Sequence, residues 1–563
     1  MGLRQNPKVI VGLVYAAIAF GSSAQTRAAT LTVTNTGDSG AGSLRGAISA
    51  AHAGDTINFA ANLSGQAITL TSGPLKISKS LVIAGPGPAR LVVRGNGASR
   101  LFNIDPATTV TISGLTIMHG RAWRTSNFGA GIFNDQATLT ISDCRLTDNV
   151  ADDLGGAIYN NYGALTIQSS TFDNNSTQFS GGAIYSNAYR GSAVVRISNS
   201  TFSGNFTQFQ GGAIFAYGAS LQISTSTFSS NLAMGGFGMP GRGGGIFAYS
   251  AMMQISSSTF SDNSATGGGR GGAIYIFDST GEIGSTILKT GESGENIVND
   301  SGTLLSRGYN ISDDAAGGDG STSPGGLLNA AGDRRNTDPL LDPEGLKNNG
   351  GPTSTIALLP GSPAIDQGKS NTIAALASHD DQRGFPRPQD NPGIANAGGG
   401  DGSDVGAFEL QIEPRTLKLA VRQSLMALLP TGDRKTDAYL QKAITSLTDS
   451  LHASLWMDNF HLTDLGRKVF ENDRAAVQAL ADITGSIAVQ AQSAIDHLLN
   501  VDASLAETAI ADAVILRGDR KEIARAQEEF SAALQAAESN LDKKAVDLFK
   551  SAWTHARKAV QRG

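Results

Sequence analysis

Cysteine is almost absent from this chain. Cys144 is the single one in 563 residues, so no internal disulfide can form and an exported form must rely on packing and hydrogen bonds. Histidine is nearly as sparse: His52, His119 and His379 are followed by four more beyond residue 450. One cysteine and scattered histidines exclude zinc and redox-metal clusters. No lysine occurs between Lys79 and Lys289, which removes the usual basic proton abstractor of a lyase from that region. Charged residues make up 16% of the chain and the net charge is -6. That balance argues against a nucleic-acid or anionic-membrane binder.

Long apolar runs are also missing after the first residues. The start, MGLRQNPKVIVGLVYAAIAFGSSAQT, places Arg4 and Lys8 before an apolar run and small residues, the pattern of a secretory signal cleaved after Ala24. An exported protein, at the cell surface or outside the cell, is expected. No later stretch resembles a transmembrane helix.

Glycine, by contrast, is plentiful, with 69 residues, and it recurs in phase. Asn149, Asn175, Asn205, Asn231 and Asn263 each close a run such as TFDNN or TFSGN. Downstream of each stands a glycine pair and an apolar stretch, beginning at Gly155, Gly181, Gly211, Gly243 and Gly271. Alternating strands such as LTI, VRI and LQI lie between them. Units of this size hold two or three short strands that cannot bury a face alone, and stacking lets each pair with its copy in the next coil. The spacing predicts a parallel β-helix: Gly pairs at the corners, Ile and Phe stacked inside, Asn amides bonding from coil to coil.

The repeated pairing of F-x-x-N with GGAI resembles the passenger repeats of polymorphic outer membrane proteins and, more broadly, right-handed β-helix proteins of the bacterial surface. The clear copies cover roughly 140 to 280. Residues 30 to 59, with Ser43-Leu44-Arg45, resemble the CSLREA-like cap of secreted β-helix proteins, although Gly46 stands where glutamate is usual. The stretches 348–368, DQRGFPRP and DVGAFEL resemble the tail of bacterial choice-of-anchor Q proteins, which implies an architecture and no chemistry.

These readings divide the chain into a signal at 1–24, a capped β-helix at 30–310, terminal coils and anchor-like tail at 311–413, and a helical bundle at 414–563. In the last part glycine thins out and helical periodicity appears in seven segments, two of them 486–499 and 503–514. Asp433 and Thr463 are expected N-caps, and Trp456 and Trp553 core anchors. The segment resembles helical modules at the C-termini of secreted bacterial proteins and is read as a retention, partner-binding or capping unit. A membrane β-barrel, with its alternating strands and aromatic girdles, is not expected from it.

Parallel β-helices carry enzymes as well as adhesins, so the fold leaves chemistry open. A glycosidase would need two suitably separated carboxylates; Asp152 and Asp153, with Arg145 nearby, are a candidate set, as are Asp313-Asp314 and Asp380-Asp381. The Gly-His-Gly and Arg-x-Lys of polygalacturonases do not occur. Residues 333–342 and 398–404 offer oxygen ligands for Ca²⁺ without matching a known calcium loop; no other cofactor is expected. The leading expectation is a non-catalytic surface β-helix that binds a polysaccharide or a cell-surface protein. A polysaccharide lyase or hydrolase with an Asp-rich groove, and a passive envelope spacer, are the alternatives. The aromatic rows Tyr159, Tyr185, Phe215, Phe247 and Tyr275, and Phe179 with Phe209, leave their facing open, as the oligomeric state is.

Overall fold

The computed structural model describes residues 28–562 except 124–126, 190, 237, 392–393, 412 and 517; the expected signal at 1–24 lies outside the described residues. From Thr30 to Ser312 the chain winds a parallel β-solenoid of about ten turns. Every strand pairing is parallel, and the strands line up in sheets of eleven, fifteen and nine. Ile158, Ile184, Ile214, Ile246 and Ile274 pair in register along the third sheet and are all buried inside. Phe172, Phe202, Phe228 and Phe260 stack through the interior with centroids 4.7 to 4.8 Å apart.

Two polar columns hold the corners. Asn149, Asn175, Asn205, Asn231 and Asn263 lie one above another at steps of 26, 30, 26 and 32 residues, each Nδ2 donating to the next Oδ1 at 2.8 to 3.1 Å. Each Nδ2 also reaches a carbonyl of the preceding coil, as Asn205 does with Phe172 at 2.9 Å. All five are buried with these bonds made, so the amides satisfy backbone groups that the corner takes out of the sheet. In the second column Ser170, Ser200 and Ser226 pass hydroxyl bonds from coil to coil, and Cys144 begins it.

The two glycines of each pair serve different needs. Gly155, Gly181, Gly211, Gly243 and Gly271 have φ between 64° and 71°, the region that disfavours side chains. Their neighbours Gly156, Gly182 and Gly212 have no such φ; a Cβ on each would lie 2.1 Å from the carbonyl oxygen of the glycine one coil on. Close stacking, rather than turn conformation, requires the second glycine.

Both ends are covered, as an open sheet edge demands. Helix α1 (Leu44–Ala50), capped by the Ser43 hydroxyl, puts Leu44, Ala47 and Ile48 onto the first coil. At the far end a loop places Ala316 and Leu328 in the interior core. Buried Arg335 ties that loop together through Asp319, Ser321 and the carbonyls of Ala315 and Ser323.

Residues 340–410 then run back along the solenoid flank, touching coils already passed. Gly406 N–H bonds Ser285 O, Ala407 N–H bonds Thr259 Oγ1, and Gln382 reaches Thr227 and Thr201. A second apolar core forms there from Ile287, Ile311, Ile356, Leu358, Val405 and Phe408. Within this tail Arg383 pairs with Asp381, and Arg387 with Glu409 at 3.0 Å, all four buried.

The C-terminal part is helical: α2 (Pro414–Ala427), α3 (Arg434–Ser450), α4 (Arg467–Ala481), α5 (Ala488–Ile515), α6 (Arg520–Glu538) and α7 (Asp542–Arg562), with one short 3-10 turn. It has its own core, in which Trp456 and Trp553 are both buried. Asp433 caps α3. The break expected after residue 499 is absent, because α5 continues through Asn500 to Ile515. Thr463 is not an N-cap: its hydroxyl donates to Ser454 O and α4 starts only at Arg467. No helix among the described residues is long and apolar enough to cross a membrane.

Candidate binding surface

Arg145, Asp152 and Asp153 are placed in separate contacts. Arg145 makes two bonds to Asp173 in the adjacent coil, at 2.9 and 2.7 Å, and this carboxylate raises its pKa further. Asp152 pairs with Arg121 at 3.1 Å, and Asp153 takes a bond from Asn127 at 2.8 Å. Stacking sets each of these three side chains against a residue one coil away.

The oxygen-rich stretches are likewise occupied by hydrogen bonds. Asp333 accepts from Ser306, Asn310 and Ala330, and Asp401 from Ser370 and Ser403. Among the described residues no three His, Cys, Asp or Glu side chains gather as a metal site.

The outer face of the third sheet is built differently. Alternate residues point to opposite sides of a strand, so with Ile184 and its partners inward, the next residue of each strand points out. Phe133, Tyr159, Tyr185, Phe215, Phe247 and Tyr275 form this outer row, stacked at 4.9 to 5.4 Å. Two positions further on, Tyr217, Tyr249 and Phe277 form a second outer row beside the first. Phe215, Phe247 and Tyr275, with Tyr185, Tyr217, Tyr249 and Phe277 packed against them, make an apolar cluster outside the solenoid, separate from its interior. Burial pushes the Tyr185 phenol up, and Tyr275, buried and bonded to Asp300 at 2.7 Å, is raised as well.

The two rows differ in what they offer. Stacked rings cover one another's faces, and Phe247 and Tyr275 are almost fully buried. Tyr249 departs from the pattern, standing at 72° to Tyr217, while Tyr217, Tyr249 and Phe277 remain half-buried. They line a depression of about 200 Å³ that also takes in Gln210 and Arg242. A second depression of about 230 Å³ shares Gln210 and Arg242 and is walled by Phe179, Phe209, Met239 and Pro240. Met239 and Pro240 come from the 32-residue coil between Asn231 and Asn263, and Phe179 is 45% exposed.

A more polar groove of about 340 Å³ runs where residues 375–378 of the tail lie against the outer face of the first sheet. Thr166, Gln168, Arg196 and Gln222 line it. Gln222 continues an outward ladder to Gln254 and Glu282.

A family model for the Chlamydia polymorphic membrane protein repeat matches residues 169–187, 199–217 and 257–276. Each matched segment spans a ladder asparagine, a glycine corner and an outer-row aromatic. Met239 and Pro240 fall outside the matched ranges. No curated protein and no solved structure matches the chain.

Proposed function

We propose that this β-solenoid, bearing polymorphic membrane protein repeats, is an exported surface protein that binds a glycan or protein ligand without cleaving it. The observation that carries this reading is the apolar cluster on the outside of the third sheet, which the interior core does not require. Its second row, Tyr217, Tyr249 and Phe277, stays half-buried at the surface, and aromatic surface of this kind marks interaction sites. The family named by the repeat supports a place at a membrane surface. The helical part, with a core of its own, is the unit we assign to retention or partner contact.

Beads coated with the protein lacking residues 1–24 should adhere to immobilised glycans or surface proteins, and Tyr217→Ala with Tyr249→Ala should abolish adhesion. Equal adhesion by the variant would rule this face out. Protease shaving of intact cells should release the solenoid. Deleting 414–563 should shift the protein into the medium, and unchanged retention would remove that role from the helices.

A further inference from the structure

Between residues 140 and 280 four described arginines lie on the solenoid, and their partners differ. Arg145 pairs with Asp173 and Arg270 with Glu295, each in the neighbouring coil. Arg242 bridges Gln210 and Arg270 through its backbone and forms no ion pair with any described residue; its guanidinium lies over the Tyr275 ring, 5.3 Å from the centroid. A half-buried guanidinium set between two aromatic depressions gains from a cation–π contact, yet its donors still call for an anion. The neighbouring Arg270 cannot attract that anion equally, because Glu295 already holds it at 2.8 Å.

We infer that Arg242 is the centre of a carbohydrate site that takes a carboxylate-bearing sugar, a uronic-acid unit of an acidic polysaccharide. One sugar ring would sit on Tyr217, Tyr249 and Phe277, and its neighbour between Phe179, Met239 and Pro240. The carboxylate would meet Arg242, and Gln210 would take hydroxyls from both. This assignment rests on the binding role proposed above and names its ligand class.

Three features favour a sugar over an acidic peptide. Each depression, at about 200 and 230 Å³, has the size of a single ring rather than of an extended segment. Apolar ring faces lie next to amide, phenol and guanidinium groups, matching a sugar's apolar face and hydroxylated edge. The strands here, Ile214–Tyr217 and Ile246–Tyr249, are paired on both sides, so a peptide finds no free edge to extend by main-chain bonds.

The test uses the protein from residue 25 onward. Polygalacturonate, alginate and hyaluronate are each presented in native and carboxyl-reduced form, with neutral glucans and a poly-glutamate peptide alongside. At least one native uronate polymer should be retained, its reduced form at least tenfold more weakly. Arg242→Gln should lose at least tenfold, Arg242→Lys should recover part, and Arg196→Gln should change nothing, with melting temperatures confirming folding. Equal binding by Arg242→Gln, or retention of poly-glutamate in place of every uronate, overturns the site. Retention of neutral glycans that needs Tyr217 and Tyr249 but not Arg242 overturns the ligand class and leaves the binding role standing. No retention in any arm defeats both.

Discussion

Gln382 and Thr201, 181 residues apart in sequence, are joined by a buried hydrogen bond of 2.8 Å. The same side chain accepts from Thr227 Oγ1 at 2.6 Å, one coil further along, and donates to Thr353 at 2.9 Å. One amide therefore fastens the returning tail to two successive coils. Replacing Gln382 with Ala takes the acceptor from the buried Thr227 hydroxyl, at about 1–3 kcal/mol, and removes a donor from Thr201 and Thr353, whose hydroxyls keep their bonds to Ser354 O and Asn199 O. We expect Gln382→Ala to lower stability by about 2–4 kcal/mol and to open 340–410 to protease first. Unchanged cleavage would mean that the tail is held elsewhere.

The asparagine column should be far less tolerant than the outer glutamine ladder. Asn205→Ala removes the acceptor of the Asn175 backbone and side-chain N–H groups and a side-chain donor to the Phe172 carbonyl, a loss of about 3 kcal/mol. Gln222→Ala on the outer face should cost within about 0.5 kcal/mol. Urea titration of both variants makes the comparison, and equal midpoints would refute it.

Gly212→Ala drives a methyl to 2.1 Å from the Gly244 carbonyl oxygen, where the backbone is held by coils on both sides. A loss of about 3–5 kcal/mol is expected. Gly320→Ala, with nothing within 4 Å, should stay within about 0.5 kcal/mol of the parent. Thermal melts of the two variants test the contrast.

In the helical core Lys418 pairs with Asp473, Ser450 donates to Asp473 at 2.8 Å, and Asp502 lies buried beside them. Burial, and then the Asp473 charge, push the Asp502 carboxyl well above the usual carboxylate range, with Lys418 opposing. Folded Asp502 thus keeps a proton that the unfolded chain releases above pH of about 4, so stability falls as pH rises from there through the folded value. Asp502→Asn should match the parent at pH 4, exceed it at pH 8 and flatten the slope. A variant less stable than the parent at pH 8 would contradict this.

The coils were legible in the sequence because one pattern recurs in step: Phe172, Phe202, Phe228 and Phe260 can only be aligned by winding the chain. The tail was not, since the bonds from Gln382 to Thr201 and Thr227 link positions that no periodicity relates. Arg145 shows a similar limit, as its hydrogen-bond partner Asp173 is 28 residues away while Asp152 and Asp153 bond Arg121 and Asn127. The gap expected between 499 and 503 holds Asn500 and Asp502, whose weak helix propensity costs under about 0.7 kcal/mol per residue. Burial of Leu498, Val501 and Leu505 outweighs it. The outward aromatic rows became assignable only once Ile184 and Ile214 were seen to point inward.

The most direct test incubates the protein with dissolved polysaccharides and surface proteins, recording bound fraction and newly formed chain ends together. The account predicts retention without new ends, lost in the Tyr217→Ala, Tyr249→Ala, Phe277→Ala variant. New chain ends, or retention that survives those three changes, would contradict it.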